Sequence, residues 1–279
     1  MLTSEQQAYF ETFGFVMLRQ LFSPTEMTAI SVQFDQILRD ERGDQPFEGE
    51  RRQNSSGFVN RPELQWLIED DRIFETMEQM LGPGFIWLGS GGSLYVGDTL
   101  WHCDRSELSF RNIKILFYLD ELTMDTGCLR VIPGSHRDPL HHALTPLRNL
   151  ASSHLPAHQR TGQDPAWTPF GISQSDVPCY PIETSAGDVI FYDHNVWHAT
   201  FGGGVGRRMF NLAFAEDPRT EEKIEFLRRS HVKAIETTRA HQPNHPLFSA
   251  GRMYDDAFLD SDRPRVRAVT RRLVELGVI

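Results

Sequence analysis

Residues 101–104 read Trp-His-Cys-Asp, and they follow a run, FIWLGSGGSLYV over residues 85–96, that is rich in aromatic and apolar side chains. This composition predicts a strand that is interrupted by glycines. Side chains two positions apart in a strand point to the same face. His102 and Asp104 are therefore predicted to converge, while Cys103 faces the other way. Far downstream, Trp197-His198-Ala199 offers a second histidine.

Two histidines and one carboxylate form the facial triad of non-haem Fe(II) oxygenases. A His-x-Asp pair is weak evidence by itself, because the chain has 11 His and 38 Asp and Glu residues. A surface histidine beside a solvated aspartate would look the same. The prediction of a metal site at His102, Asp104 and His198 therefore depends on the surrounding sequence.

Length and composition limit the classes of function. The chain has 279 residues, of which 39% are hydrophobic, and this predicts one large domain, or one domain with helical additions. The formal net charge of -10 argues against a nucleic-acid partner, since phosphate binding needs a basic face. The three cysteines form no CxxC pair, which indicates reduced thiols and argues against a thiolate zinc site.

The sequence also predicts a cytoplasmic protein without membrane contacts. Residues 1–9 are polar and show no basic start followed by an apolar stretch, so no signal peptide is expected. No window approaches 18 consecutive apolar residues. The sequence gives no indication of the oligomeric state.

Helix signals come first along the chain and strand signals follow. Capping boxes at Thr3–Gln6 and Ser23–Glu26 predict two helices, and a third is predicted over Asp71–Leu81. This order favours an antiparallel barrel or a double-sheet jelly roll with flanking helices. The predicted strands are Phe15–Leu18, Phe85–Val96, Leu100–Cys103, Ile113–Leu119, Leu129–Ile132, Val189–Tyr192 and Met209–Phe214.

We expect a single domain over residues 1–279. Its predicted parts are N-terminal helices in 3–82, a jelly-roll core in about 85–214 and C-terminal helices in 217–279. Residues 138–176 lack a clear period and fit either a lid over an active site or a disordered insertion. Residues 43–61 are predicted to be a loop that could border a pocket. The histidines of the long insertion, which are His141, His142, His154 and His158, are not counted as ligands.

Some polar residues near the predicted strands have no settled role. Lys114 lies in an apolar strand, and an outward orientation is favoured over one that faces an anion inside the barrel. His136, in a Pro-Gly turn, is interpreted as structural. Tyr95, Arg105 and Lys114 are candidates for a pocket wall, without further support.

Several segments together resemble the phytanoyl-CoA dioxygenase family of Fe(II)/2-oxoglutarate oxygenases. They are Trp101–Asp104, the run GCLRVIPGSH over residues 127–136, Gly187-Asp188-Val189-Ile190, and His198 followed by Arg207. The resemblance extends from Thr3 to about Phe214. It implies a mainly β protein with flanking helices around a double-stranded β-helix (jelly-roll) core.

The resemblance also implies the cofactors and their ligands. His102, Asp104 and His198 would hold Fe(II), and no further catalytic residue is expected. Arg207 would bind the far carboxylate of 2-oxoglutarate, with Thr200 sharing it and Arg208 as the alternative. A guanidinium fork matches a carboxylate in two places, which agrees with this role. The implied reaction uses O2, hydroxylates a small-molecule substrate and releases succinate and CO2.

Other functions are less consistent with these residues. A halogenase of the same fold would need a small residue in place of Asp104, which would leave room for halide. A non-catalytic jelly-roll binding protein would have no need of His102, Asp104 and His198. A hydrolytic zinc site would need a separate general base, and none stands at a recognisable spacing. The identity of the substrate and the position of hydroxylation do not follow from the sequence.

Overall fold

A computed structural model of the protein describes residues 1–104, 108–150, 170–243 and 245–279. Within these ranges the strands form two antiparallel sheets. The strands are β1 (Phe15–Leu18), β2 (Gln53–Ser56), β3 (Ile86–Val96), β4 (Thr99–His102), β5 (Asn112–Tyr118), β6 (Leu129–Val131), β7 (Tyr180–Ile182), β8 (Val189–Asp193), β9 (His198–Thr200) and β10 (Val205–Ala215).

The large sheet has the strand order β1-β8-β5-β10-β3-β2, and the small sheet has the order β4-β9-β6-β7. Apolar side chains of both sheets pack together in one buried cluster, which includes Leu116 and Ile190 of the large sheet and Leu129 and Val131 of the small sheet. Two antiparallel sheets that face each other across such a core form a jelly roll. The predicted fold class is therefore confirmed.

Several helices cover the outer face of the large sheet. The helices are α1 (Ser4–Phe13), α2 (Pro24–Arg42), α3 (Trp66–Glu69), α4 (Asp71–Leu81), α5 (Leu140–Ala143), α6 (Glu221–His241), α7 (Pro246–Ser249), α8 (Asp256–Leu259) and α9 (Pro264–Glu275). Side chains of α2, α4 and α9 join a second buried cluster with Ile113, Ile115 and Phe117 of β5. Both predicted capping boxes are present, at Thr3 and at Ser23.

The segment 3–82 contributes strands as well as helices. Its β1 pairs with β8, and its β2 pairs with β3, so both strands extend the large sheet. The prediction that residues 43–61 are only a loop is wrong, because β2 and a 3-10 turn at Phe58–Asn60 lie within them. The N–H and C=O groups of β2 complete the ladder at the edge of β3, which its polar sequence, QNSS, does not indicate.

The long insertion is described only in part. Residues 138–150 contain α5 and a 3-10 segment at Thr145–Leu150, and a further 3-10 turn spans Gln174–Asp176. His154, His158 and the centre of the predicted lid lie outside the described residues, as does Arg105. Within the described ranges, no helix is both long and apolar enough to cross a membrane. The cytoplasmic location and the single-domain organisation remain predictions.

Candidate metal centre

The two histidines of the predicted triad lie opposite each other on neighbouring strands. His102 ends β4 and pairs in register with His198, which begins β9. Their ring centroids are 4.2 Å apart. Asp104 lies two residues beyond β4 rather than within a strand, which corrects the predicted strand limit of Cys103. Its Oδ1 is nevertheless 3.8 Å from Nε2 of His102 and 3.9 Å from Nε2 of His198.

Hydrogen bonds to the backbone orient both imidazoles. Nδ1 of His102 is 2.8 Å from the carbonyl oxygen of Leu100, and Nδ1 of His198 is 2.9 Å from that of Val196. A carbonyl only accepts, so each Nδ1 carries the proton and each Nε2 keeps a free lone pair. Metal-binding histidines are commonly fixed in this way. Burial lowers the pKa of His102 and lowers that of His198 to about 3, which keeps both rings neutral.

The second oxygen of Asp104 is held by groups from the large sheet. Nζ of Lys114 and the hydroxyl of Tyr192 each donate to Oδ2 of Asp104 at 3.0 Å. The prediction that Lys114 faces outward is wrong. Burial alone would raise the pKa of the Asp104 carboxyl, but Lys114 and the nearby histidines hold that pKa well below its usual range. Asp104 is therefore a carboxylate with Oδ1 left for a cation.

These observations fit a divalent metal with nitrogen and oxygen ligands. Nε2 of His102, Nε2 of His198 and Oδ1 of Asp104 belong to a group whose ligand atoms lie within 4.8 Å of one another. All three groups are in the protonation state that metal binding needs. Cys103 turns away into a separate apolar cluster with Trp101 and Trp197, as predicted.

Arg207 lies near this centre and is buried, with 5% of its surface exposed. Its Nη2 is 3.2 Å from Oγ1 of Thr200, and its Nη1 donates to the carbonyl of Gly127 at 2.5 Å. Its Nε has no hydrogen-bond partner, and no carboxylate of the described residues lies within ion-pair distance. A buried cation without a counter-ion is costly, so this arrangement fits a site for an anion.

Gly127 makes room for this arginine. It has a φ of +90°, and a Cβ at this position would overlap the guanidinium of Arg207. This role of Gly127 does not follow from its sequence motif, because only the fold brings residues 127 and 207 together.

Arg208, the alternative anion-binding residue, lies on the opposite face of β10. It donates to Asp120 at 2.6 Å and to Asp35 at 3.2 Å. The strand itself begins at Val205, four residues before the predicted start at Met209. Since its charge is already paired on the outside of the sheet, Arg208 does not compete for a ligand in the interior.

A cavity of about 930 Å³ opens above the triad and is lined by side chains from both sheets and from α6. Tyr95 and Lys114, predicted as wall residues, both line it. The sequence did not indicate the contribution of α6. His141 is buried away from the triad, with Nδ1 near the carbonyls of Ser135 and Asn195. His136 is also buried, which is consistent with its structural interpretation.

The sequence matches the family described as "Phytanoyl-CoA dioxygenase (PhyH)" over residues 10–209. This range covers most of the chain, including the triad and Arg207. The chain belongs to the phytanoyl-CoA dioxygenase family. It is thereby an oxygenase of the Fe(II)/2-oxoglutarate-dependent class. The match ends within β10, so α6 and the other C-terminal helices of this family member lie outside it.

The chain is similar to an ectoine dioxygenase in sequence and to a carbocyclase in structure. The ectoine dioxygenase of Bordetella bronchiseptica is 24% identical in an alignment of 221 residues, and the match covers 71% of this chain and 70% of that protein. The structure of SnoK, a non-haem α-ketoglutarate-dependent carbocyclase from nogalamycin biosynthesis, has a TM-score of 0.56. It is 19% identical, and the match covers 78% of this chain and 85% of SnoK.

A further solved structure holds ligands. HygX from Streptomyces hygroscopicus, with nickel and 2-oxoglutarate bound, has a TM-score of 0.55 at 16% identity, over 77% of this chain and 87% of HygX. At such identities the structural likeness shows the shared fold of this family member and does not identify its substrate.

Proposed function

We propose that this chain is an Fe(II)- and 2-oxoglutarate-dependent dioxygenase that hydroxylates a small molecule. The observation that carries the proposal is the convergence of two tautomer-fixed Nε2 atoms and one carboxylate oxygen at the base of a cavity. Two histidines and a carboxylate suit non-haem Fe(II) and leave coordination positions open. The nickel- and 2-oxoglutarate-bound neighbour of the same fold supports the proposal.

Each residue has one role in the proposed mechanism. His102, Asp104 and His198 would hold Fe(II), and Arg207 with Thr200 would bind the far carboxylate of 2-oxoglutarate. When bound, these groups and O2 supply oxidising chemistry in which one oxygen atom enters succinate, CO2 leaves and the other oxygen atom enters a C–H bond. Lys114 and Tyr192 keep Oδ2 of Asp104 occupied, so that Oδ1 remains directed at the metal position.

The cavity supports a small-molecule substrate. Its volume of about 930 Å³ lies within the roughly 300–1,000 Å³ of small-molecule sites. Its walls contain apolar residues such as Leu88 and Leu116 beside the polar groups of the triad. These walls would bring a C–H bond to the metal and exclude water from it.

Metal binding and product formation test the proposal together. Anaerobic titration should show about one Fe(II) per chain in the native protein, and none of comparable affinity in His102→Ala or His198→Ala. Aerobic incubation with 2-oxoglutarate and a set of metabolites should release succinate with a hydroxylated product. His142→Ala, at an exposed histidine away from the triad, is the control. Full metal binding and turnover in either triad variant would refute the ligand assignment.

A further inference from the structure

The cavity above the metal centre has a positively charged wall. The side chains of Arg52, Arg229 and Lys233 line it, and we call these three residues the basic wall. Asp104 is the one carboxylate residue that lines this cavity within the described parts of the chain. This is the reverse of the whole chain, whose formal net charge is -10. The positive charge is therefore a local property of the cavity.

The described residues of the protein do not neutralise the basic wall. Arg229 and Lys233 are exposed residues of α6, and no carboxylate of the described residues forms an ion pair with either. The neighbouring Arg228 takes the nearby acids instead, with Glu221 at 3.3 Å and Glu225 at 3.8 Å. The guanidinium of Arg52 lies 4.7 Å from the centre of the Tyr95 ring, which holds it at the wall.

The proposed cofactors do not account for these charges either. Fe(II), 2-oxoglutarate, Asp104 and Arg207 together carry no net charge, and the two ends of 2-oxoglutarate are assigned to the metal and to Arg207. The cations of the basic wall therefore remain for another ligand. Arg52 comes from the loop before β2, and Arg229 and Lys233 come from α6. Helix α6 lies beyond the range that matches the family.

We propose that the basic wall binds an anionic group, a carboxylate or a phosphate, of the substrate that this cavity accepts. The inference rests on the proposed function insofar as the ligand is a substrate of the enzyme. The anion site itself needs no metal. The anionic group would lie beside α6, and the carbon to be hydroxylated would lie at the triad, which lines the same cavity. Spacing on α6 supports this, since Phe226, Arg229, Ser230, Lys233 and Thr237 form one stripe facing the cavity.

Three eight-carbon probes test the charge preference. Octyl phosphate, octanoate and octanamide would be titrated calorimetrically into the full chain, saturated with Fe(II) and 2-oxoglutarate without oxygen so that Arg207 is occupied. Both anions should bind more tightly than octanamide. The affinities of octyl phosphate and octanoate then show whether the site prefers a phosphate or a carboxylate. Raising the salt concentration should weaken the anions only. Equal or tighter binding of octanamide would overturn the proposal.

Single variants locate the site. Arg229→Gln and Lys233→Gln should each weaken the binding of the anions by about three- to tenfold, which is the scale of one partly exposed charge contact. Arg239→Gln is the matched control, because Arg239 is an exposed cation of α6 that does not line the cavity. Both target side chains are exposed and form no ion pair with a described residue, so folding should be preserved. An equal loss in Arg239→Gln would refute the assignment to the basic wall.

A last arm separates this inference from the proposed function. The titrations are repeated on metal-free Arg207→Ala protein, in which neither iron nor the proposed 2-oxoglutarate site contributes. Anion binding that still depends on Arg229 and Lys233 supports the basic wall, even if the iron titration fails. Conversely, normal iron binding and succinate release without any preference for anions would refute the inference and leave the proposed function unaffected.

Discussion

Among the described residues, the guanidinium of Arg207 has partners on both Nη atoms but none on Nε, and it lies 5.1 Å from the centre of the Tyr95 ring. The partners are the carbonyls of Gly127 and Gly97 and the hydroxyl of Thr200, which satisfy hydrogen bonds without neutralising the charge. A residue in this state indicates that an anion belongs next to it. Arg207 donates to Thr200, which lies on β9 together with His198, so a ligand with a carboxylate at each end would lie between the triad and Arg207.

Replacing Arg207 should therefore affect the cosubstrate and spare the metal. Arg207→Ala is expected to weaken 2-oxoglutarate binding by roughly 2–3 kcal/mol, the scale of charge-assisted hydrogen bonds. Anaerobic calorimetry with Fe(II) and then 2-oxoglutarate measures both affinities. Arg208→Ala is the control, because Arg208 pairs with Asp120 and Asp35 on the other face of β10. A larger effect in the control would show that the wrong arginine has been assigned.

The glycine beneath Arg207 gives an independent prediction. Gly127→Ala should displace the guanidinium, because the added Cβ overlaps it and the φ of +90° disfavours any side chain. We expect weaker 2-oxoglutarate binding and nearly unchanged Fe(II) affinity in the same titrations. Gly204→Ala serves for comparison, since a Cβ there meets nothing within 4 Å. Unaltered 2-oxoglutarate affinity in Gly127→Ala would mean that the site tolerates a shifted arginine.

At the scale of elements, strand β5 shows where sequence patterns fail. Both faces of β5 are covered, one by helices and one by the small sheet, so Ile113, Ile115 and Phe117 alternate with Leu116 and Tyr118 without a polar face. The sequence pattern of such a strand does not show which of the two faces a given side chain points to. The orientation of Lys114 was unpredictable for this reason. The approach of His102 to Asp104 was predictable, because these two residues stand in a local motif, whereas the family resemblance predicted that His198 joins them.

Two helices of the outer layer are joined at their first turns. Glu26 of α2 accepts from the backbone N–H of Ser23 at 2.7 Å and forms an ion pair with Arg72 of α4 at 2.5 Å. Arg72 also pairs with Asp70, the N-cap of α4, at 2.6 Å. The hydrogen bond from Arg72 lowers the pKa of Glu26 to about 2. Both N-termini are thereby given negative charge, which the helix dipole favours.

This network should make stability depend on pH. The folded pKa of Glu26, about 2, is below its ordinary 4.5, so the contribution is present above pH 4.5 and is lost as the pH falls toward 2. Glu26→Gln should lower the free energy of unfolding at pH 7 by about 1 kcal/mol, reduced by partial exposure. Urea denaturation at pH 7, 5, 4 and 3.5 should show that the difference in unfolding free energy between the native protein and Glu26→Gln decreases as the pH falls. Glu63→Gln, at an exposed residue without an ion pair, should show no such trend; a pH-independent difference in Glu26→Gln would contradict this account.

At the scale of the molecule, the order of helices and strands predicted the jelly roll, and motif residues predicted the triad. Two features did not follow from sequence. Strand β2 is polar, so its place at the sheet edge depends on β3 offering unpaired backbone groups. The wall that α6 adds to the cavity depends on how a helix that begins after the last strand folds back over the opening. Both are consequences of tertiary packing, which local patterns do not encode.

The proposed ligands connect distant parts of this fold, so metal binding should stabilise the whole molecule. His102 and His198 belong to the small sheet, while Asp104 is held by Lys114 and Tyr192 of the large sheet. A metal that binds only the folded state at about 100 times its Kd adds about 2.7 kcal/mol, which for a chain of this size raises the Tm by roughly 5 °C. Thermal unfolding with Ni(II), which does not undergo oxidation in air, should show this rise and its reversal by a chelator. The rise should persist in His142→Ala and vanish in His198→Ala. An equal rise in His198→Ala would place the metal elsewhere on the chain and remove the basis for the proposed centre.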